Sequence, residues 1–405
     1  ATTYLQAVED LGMITVTSAT KSEQSIKDIT SNVEVITGAE LEEKHITTVL
    51  DALRLSGISI AQSGGIGQQS SFFLSGMSSG NTLVLIDGIK YNDQLGTEGQ
   101  AQLEHLMISD IAQIEIIKGA QSGIWGANAV AGVINIVTKK ATKELITNAN
   151  IEYGTYNTKK AGANISQKLE NFSYFLGANY ISTDGISAQT PRGKNSEDYE
   201  ADGYTNKTLN GKFGFELSDS DEIKFNITDI DAKVEYDGCD KTYPLTCTET
   251  EKANLNTREL TQKNRLYKTS YQHNFNDKDY LNVSYAKTSF KKDDPLGYIK
   301  KFNGNNQESS VDGKIAYAEK SFLLVGIGNQ KSENEISKKE IKSSGYYLTN
   351  SNIFDKLVLT ESIRFDKYDL FDDATTGKIG AKYNFAQYFS LSGNYGTAYK
   401  VPVLS

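Results

Sequence analysis

No stretch of the 405-residue chain approaches the roughly 20 consecutive apolar residues that a membrane-spanning helix requires, the longest clear runs being short pieces such as Leu83 to Ile86 and Phe322 to Val325. Helical insertion is therefore excluded. A transmembrane barrel stays open, because its strands alternate lipid-facing apolar with lumen-facing polar residues. Its average looks water-soluble, so the mean hydropathy of -0.44 does not argue against a membrane. Concentrated positive charge is also missing: only five Arg occur, the Lys are scattered and the net charge is -9. That argues against nucleic acid as partner, since neutralising phosphates needs clustered Lys and Arg. Histidine is rare, and His45, His105 and His273 lie too far apart to show zinc-ligand spacing. Cysteine is rarer still. Cys239 and Cys247 share a loop-like segment, where an oxidising exterior favours a disulfide and two free thiols are the alternative. The first residues, ATTYLQAVEDL, show no basic start followed by an apolar core, and we read a secretory signal as already removed. No catalytic constellation emerges, so we expect no enzyme.

What is present is a β-rich, aromatic composition with 34 Gly and 23 Tyr. Met13 to Ser18 (Met13, Ile14, Thr15, Val16, Thr17, Ser18) is a strand-prone hexamer ahead of a Lys/Ser/Glu-rich spacer, able to add to a partner's sheet edge. An ordinary first strand is the alternative. From Val33 to Val137 the pattern is mixed α/β. Thr37 and Glu40 stand as in a capping box, and the apolar stripe Val49, Leu50, Leu53 ends at Gly57, a helix C-cap. Leu83 to Ile86, Asp87-Gly88, then Ile89 to Tyr91 reads as a hairpin, because Asp-Gly tolerates the positive φ of a type I′ turn. Asp87 is thus a turn residue first.

From about Leu145 the period becomes two. Ile223, Phe225 and Ile227 alternate with Lys224, Asn226 and Thr228, and Leu281, Val283 and Tyr285 with Asn282 and Ser284. Short turns (218–221, 276–279) alternate with long polar loops (183–205, 236–259), as on the two rims of an outer-membrane barrel. A soluble sandwich fits strands of this length poorly. Roughly thirteen strands follow Leu145, against about 22 in a plugged transporter, so we expect an incomplete barrel.

Two motifs carry a resemblance: Asn81 to Asp93, NTLVLIDGIKYND, and Ile114 to Lys139, IEIIKGAQSGIWGANAVAGVINIVTK. Together they resemble the plug of TonB-dependent outer-membrane receptors. The fold implied is a transmembrane antiparallel β-barrel holding an N-terminal mixed α/β plug. Residues 1–20 would carry a TonB box at 13–18, residues 21–140 the plug and 141–405 the N-terminal part of the barrel. The resemblance implies active import across the bacterial outer membrane, capture of the box by TonB through strand addition, contact with outer-membrane lipid and lipopolysaccharide, and a monomer with no required cofactor.

Within the family, the loops resemble those of cobalamin receptors, which implies cobalamin or a related corrinoid as cargo. Gln62 to Gly76 (QSGGIGQQSSFFLSG) and Lys90 to Ala101 (KYNDQLGTEGQA) look like substrate-facing apical loops, which would place Ser63, Gln68, Gln69, Ser70 and Asn92 against the ligand. The residues themselves offer adaptable hydrogen bonds beside close-approach glycines; a plain polar loop is the alternative. GGIG lacks the Lys or fuller fingerprint of a nucleotide site. Glu200, Asp202, Asp231, Tyr236 and Asp237 resemble the oxygen ligands of calcium-binding loops, with solvated acidic loops as the alternative. Three departures stand out: Asn256 replaces an acidic residue, and Ser75 and Lys118 replace plug arginines, which puts the usual plug-to-barrel ion pairs in doubt. Gly119, Gly123, Gly126 and Gly132 are spaced for a tight plug core. A ferric siderophore or haem receptor, a passive porin-like channel and an extracellular binding protein are the other readings.

Overall fold

The computed structural model describes residues 14–93, 96–188, 201–236, 258–295, 297, 300–386 and 389–403. The N-terminal part begins with a small antiparallel pair, β1 (Thr15–Val16) and β2 (Gln24–Ser25). There follow β3 (Asn32–Thr37), α1 (Gly38–Glu43), α2 (Val49–Leu55), β4 (Ser59–Gln62), β5 (Ser70–Phe73), β6 (Thr82–Ile86), β7 (Ile89–Lys90), β8 (Ile111–Lys118), α3 (Ser122–Trp125) and β9 (Gly132–Thr138). The central sheet runs β3-β8-β9-β6-β7.

Local chemistry sets these boundaries. The Thr37 side chain accepts from the Glu40 N–H at 3.2 Å and starts α1; Thr48 does the same for Asp51 and starts α2. Asp87 (φ 50°) and Gly88 (φ 75°) both adopt positive φ between β6 and β7, as a type I′ turn demands. All five residues of β6 are buried and Ile114, Ile116, Ile117, Val133 and Ile134 are fully so, because elements cover both faces of the sheet.

Thirteen strands follow in one consecutive antiparallel sheet. They are β10 (Ile146–Gly154), β11 (Thr158–Lys168), β12 (Phe172–Thr183), β13 (Tyr204–Glu216), β14 (Asp221–Tyr236), β15 (Arg258–Asn274), β16 (Tyr280–Asp293), β17 (Lys301–Ala316), β18 (Phe322–Asn334), β19 (Glu340–Phe354), β20 (Leu357–Tyr368), β21 (Ala374–Ala386) and β22 (Phe389–Gly396). β10 and β22 are its two edges. The sheet curls round the N-terminal domain, and Ile230, Leu266 and Phe290 of its concave face belong to the same apolar cluster as Leu50, Leu53, Tyr91 and Ile114.

The convex face is an apolar girdle. Strand register sets Ile223, Tyr271, Val283, Val311, Ile327, Tyr346 and Phe365 side by side across seven strands. Val283, Tyr346 and Phe365 are 43%, 49% and 39% exposed, which no aqueous surface tolerates in a continuous band; hydrocarbon does. The glycines expected in a tight core prove to serve the wall as well. Gly126, with φ 83°, ends α3 where an added Cβ would stand 2.9 Å from Arg364 Nε on β20.

Candidate functional site

The loop between β4 and β5 closes with the Ser63 N–H donating to the Gln69 carbonyl at 3.0 Å, and both side chains face solvent. The next residues are committed inward. Gln68 is 5% exposed and its Nε2 donates to the Glu235 carbonyl at 2.5 Å, tying the loop to β14; Ser70 donates to Glu104 at 2.9 Å. Asn92, expected against the ligand, has its amide turned into the plug. Its Oδ1 accepts from Val84 N–H at 2.7 Å and its Nδ2 donates to the Thr82 and Gly99 carbonyls, so both ends of the amide are used within the plug. Its carbonyl accepts from Asn306 Nδ2 on β17, which makes the residue a pillar of the second loop. The free hydrogen-bonding face is therefore Ser63 and Gln69.

Gly67, at φ 82°, lies flat on the Tyr204 ring, where an added Cβ would stand 2.1 Å away. That ring is fixed in turn: Asn206 Nδ2 donates to its hydroxyl at 2.8 Å and His105 Nδ1 lies 3.3 Å from it. Gly67→Ala should lift the loop from β13 and weaken ligand affinity at least tenfold, about 1.4 kcal/mol. Equilibrium binding checks this, with an unchanged thermal midpoint of the barrel as the control.

Beneath the loop, burial raises the Glu104 carboxyl to about 7, opposed by the Ser70 hydrogen bond and Lys292, and lowers the neighbouring His105 to about 4. The folded state holds a proton on Glu104 that the unfolded chain releases above its ordinary 4.5, so its contribution is full below pH 4.5 and is lost as pH rises through 7. His105 acts in the opposite sense between pH 4 and 6.5, the folded state rejecting a proton there. The Glu104 effect is thus cleanest above pH 6.5. Melting followed from pH 6.5 to 8 should show the wild type losing stability relative to Glu104→Gln; parallel curves would contradict the protonated carboxyl.

Among the described residues, Asp202, Asp231 and Tyr236 do not converge on one point. Asp231 and Tyr236 stand five apart on β14, so the two-residue period puts them on opposite faces: Asp231 pairs with Lys263 at 2.8 Å, whereas the Tyr236 hydroxyl donates to Asp294 at 2.6 Å. Asp202 is buried and accepts from the Ala188 N–H at 2.9 Å. Among the described residues no group of three His, Cys, Asp or Glu could hold a metal. Glu200, Asp237, Cys239, Cys247 and Met13 lie outside the described residues.

The strand-prone N-terminal segment is docked on the plug, with Thr15–Val16 paired to Gln24–Ser25. The same β-branched character that suits it to a strand lets Val16 bury completely. Glu115, in the middle of β8 and fully buried, accepts from the backbone N–H groups of Thr17 and Ser18 and from the Ser18 hydroxyl. Gln113 Nε2 donates to the Thr15 carbonyl at 2.9 Å, and Trp125 Nε1 to the Ser18 carbonyl at 2.7 Å. Plug and wall are joined by Lys212 to Asp87 at 2.9 Å, Lys90 to Glu308 at 3.4 Å and the buried Asp110, which accepts from Asn179 at 2.7 Å and Asn210 at 2.9 Å. Lys118 instead pairs with Glu34 inside the plug.

An inner α/β domain within a wall of meandering strands has known counterparts. Residues 25–133 match the TonB-dependent receptor plug domain, and residues 143–405 match the TonB-dependent receptor-like β-barrel. The chain belongs to the TonB-dependent receptor family. Receptors of this family are outer-membrane proteins, and they are not enzymes. The vitamin B12 transporter BtuB of Vibrio vulnificus strain CMCP6 is 26% identical over 414 residues, covering 99% of this chain and 66% of the relative. BtuB of strain YJ016 is 33% identical over 235 residues, 58% of this chain and 38% of that one. The chain thus spans less than two thirds of either relative. Among solved structures, the siderophore receptor PirA of Acinetobacter baumannii superposes with a TM-score of 0.70 at 19% identity, over 91% of this chain and 61% of that one. The ferric enterobactin receptor PfeA of Pseudomonas aeruginosa, in complex with BCV-L6, gives 0.73 at 15% identity, over 92% and 63%. At those identities the likeness concerns fold.

Sequence reasoning missed three groups in this receptor. Glu115 carried a signal, a lone carboxylate in the apolar run Ile114 to Ile117. Asp110 and Lys212 carried none, since their partners lie far away in the chain.

Proposed function

We propose that this TonB-dependent receptor takes part in energised import of a corrinoid, with Ser63 and Gln69 as ligand contacts, Gln68, Ser70 and Asn92 as the residues that hold the loops, and Thr15 to Ser18 as the strand offered to TonB. The observation that carries the cargo is the likeness to a relative named as a vitamin B12 transporter over 99% of this chain, apical loops included. The geometry supports a recognition role: two exposed side chains with both donor and acceptor capacity sit on a loop that buried polar contacts fix to β14 and to Glu104. The docked N-terminal segment supports a switched one, because its backbone donors are occupied until it leaves the plug.

Equilibrium binding of cyanocobalamin to the detergent-purified protein, with and without millimolar calcium, tests this reading. Binding with a Kd on the order of nM supports the corrinoid, and loss on Gln69→Ala locates it. Strengthening by calcium would place a cation in the acidic loops. No binding under either condition moves the cargo to a ferric siderophore, leaving the family and the fold as they are.

A further inference from the structure

Inside the wall, beside the first stretch of the plug, lies a cavity of about 530 Å³. Residues 26–33 and 118–121 bound it on the plug side, and β21 and β22 on the wall side. Among the described residues, Lys118, Lys378 and Lys382 line it and no carboxylate does. Its remaining wall is polar, with Ser390, Ser392 and Asn394 sharing the inward face of β22 as the two-residue period requires.

The positive charge there is unmatched. Lys378 is 6% exposed, and its ammonium donates to the Ser31 hydroxyl and, at 2.8 Å, to the Gln121 side-chain oxygen, two neutral acceptors on the plug. An ammonium has three donors, so one is left over. Lys382, four residues further along the same face, donates to the Ile26 carbonyl at 3.4 Å. Neither forms an ion pair among the described residues: the nearby Glu34 pairs with Lys118, and Asp28 with Lys320. Between the two lysines Gly380 makes room for Thr30, whose buried hydroxyl has no hydrogen-bond partner among the described residues. A buried cation without a counter-charge is costly, and neutral acceptors offset only part of that cost.

We propose that the cavity between residues 26–33 and β21–β22 is a binding site for a small oxyanion of the phosphate class, held by Lys378 and Lys382 and by the hydroxyl and amide donors of β22. The anion supplies the missing charge, and its oxygens accept from the unspent N–H and O–H groups. It ties the plug to β21 by charge, as Lys212–Asp87 ties it to β13 and Lys90–Glu308 to β17. The site is independent of the cargo.

The test is isothermal titration calorimetry of inorganic phosphate into the detergent-purified full chain at constant ionic strength, with chloride as the comparison anion. Phosphate should bind saturably and raise the thermal midpoint, and chloride should do neither. Lys378→Gln removes one charge and should weaken phosphate about tenfold. Ser392 lies level with Lys382 across the β21–β22 ladder and is exposed, so it accepts a larger side chain. Ser392→Asp places a carboxylate beside the lysines. It should abolish phosphate binding and raise the thermal midpoint measured without phosphate, which damage to the fold would not do. Cyanocobalamin affinity should be the same with and without phosphate. The proposal is overturned by a chain that does not bind phosphate, by unchanged phosphate affinity in Ser392→Asp, or by competition between phosphate and cyanocobalamin, since the anion would then sit in the cargo's site. A chain that binds phosphate but not cyanocobalamin keeps this site and loses the corrinoid.

Discussion

Thr15→Pro is expected to reduce energised uptake to background while leaving equilibrium ligand binding unchanged. Thr15 sits in β1 opposite Ser25, and the Ile26 N–H donates to the Ile14 carbonyl, so the Thr15 N–H faces away from β2 and the docked state loses no ladder bond to proline there. The ligand loops are anchored elsewhere, through Gln68 to Glu235 and Ser70 to Glu104, and do not depend on β1. The released segment is more sensitive. An extended segment that adds to a partner's sheet edge relies on a regular ladder of N–H donors, and proline removes one while restricting the preceding residue. Uptake and surface binding of labelled cyanocobalamin, measured on the same energised cells, separate the two effects. Uptake at the wild-type rate would sink the assignment of Thr15 to Ser18 as the strand that TonB takes.

Glu115→Ala should undock that segment without any pull. Thr17 N–H, Ser18 N–H, the Ser18 hydroxyl, Gln113 Nε2 and Asn135 Nδ2 all donate to this one carboxylate. Truncation leaves several buried donors unpaired, at about 1–3 kcal/mol for a typical orphan, and opens a void beneath them. The segment can escape that cost by leaving, because it ends at Lys21 in a turn of positive φ (59°) rather than in a regular element. Limited trypsin digestion should then cut after Lys21 at least tenfold faster than in the wild type. Glu115→Gln, which keeps one acceptor, should fall between. Equal digestion rates in all three proteins would show that Glu115 does not hold the segment.

Much of the architecture was legible from the chain because it depends on local rules. Thr37 ahead of its helix, the Val49, Leu50, Leu53 stripe, Asp87-Gly88 between two apolar runs, and the switch to a period of two near Leu145 each have a short-range cause, and the strand count of thirteen followed from the last of them. The loops were harder. Asn92 has the chemistry of a ligand contact, but whether an amide is spent internally depends on Val84, Thr82 and Gly99 folding back on it. Asp231 and Tyr236 could have been separated earlier, since an odd spacing within a strand puts side chains on opposite faces. Plug-to-wall partners lay beyond any local pattern: Asp87 and Lys212 are 125 residues apart and Asp110 and Asn210 are 100 apart.

Trp125, the only tryptophan of the chain, has its indole N–H on the Ser18 carbonyl at 2.7 Å and the Lys21 ammonium 4.9 Å from its ring centre. An indole that loses a carbonyl partner and a nearby cation changes its emission. The chain therefore carries a built-in optical probe at one of the contacts between the N-terminal segment and the plug. Stopped-flow fluorescence, with no added label, is the measurement that would time a departure of that segment from the plug.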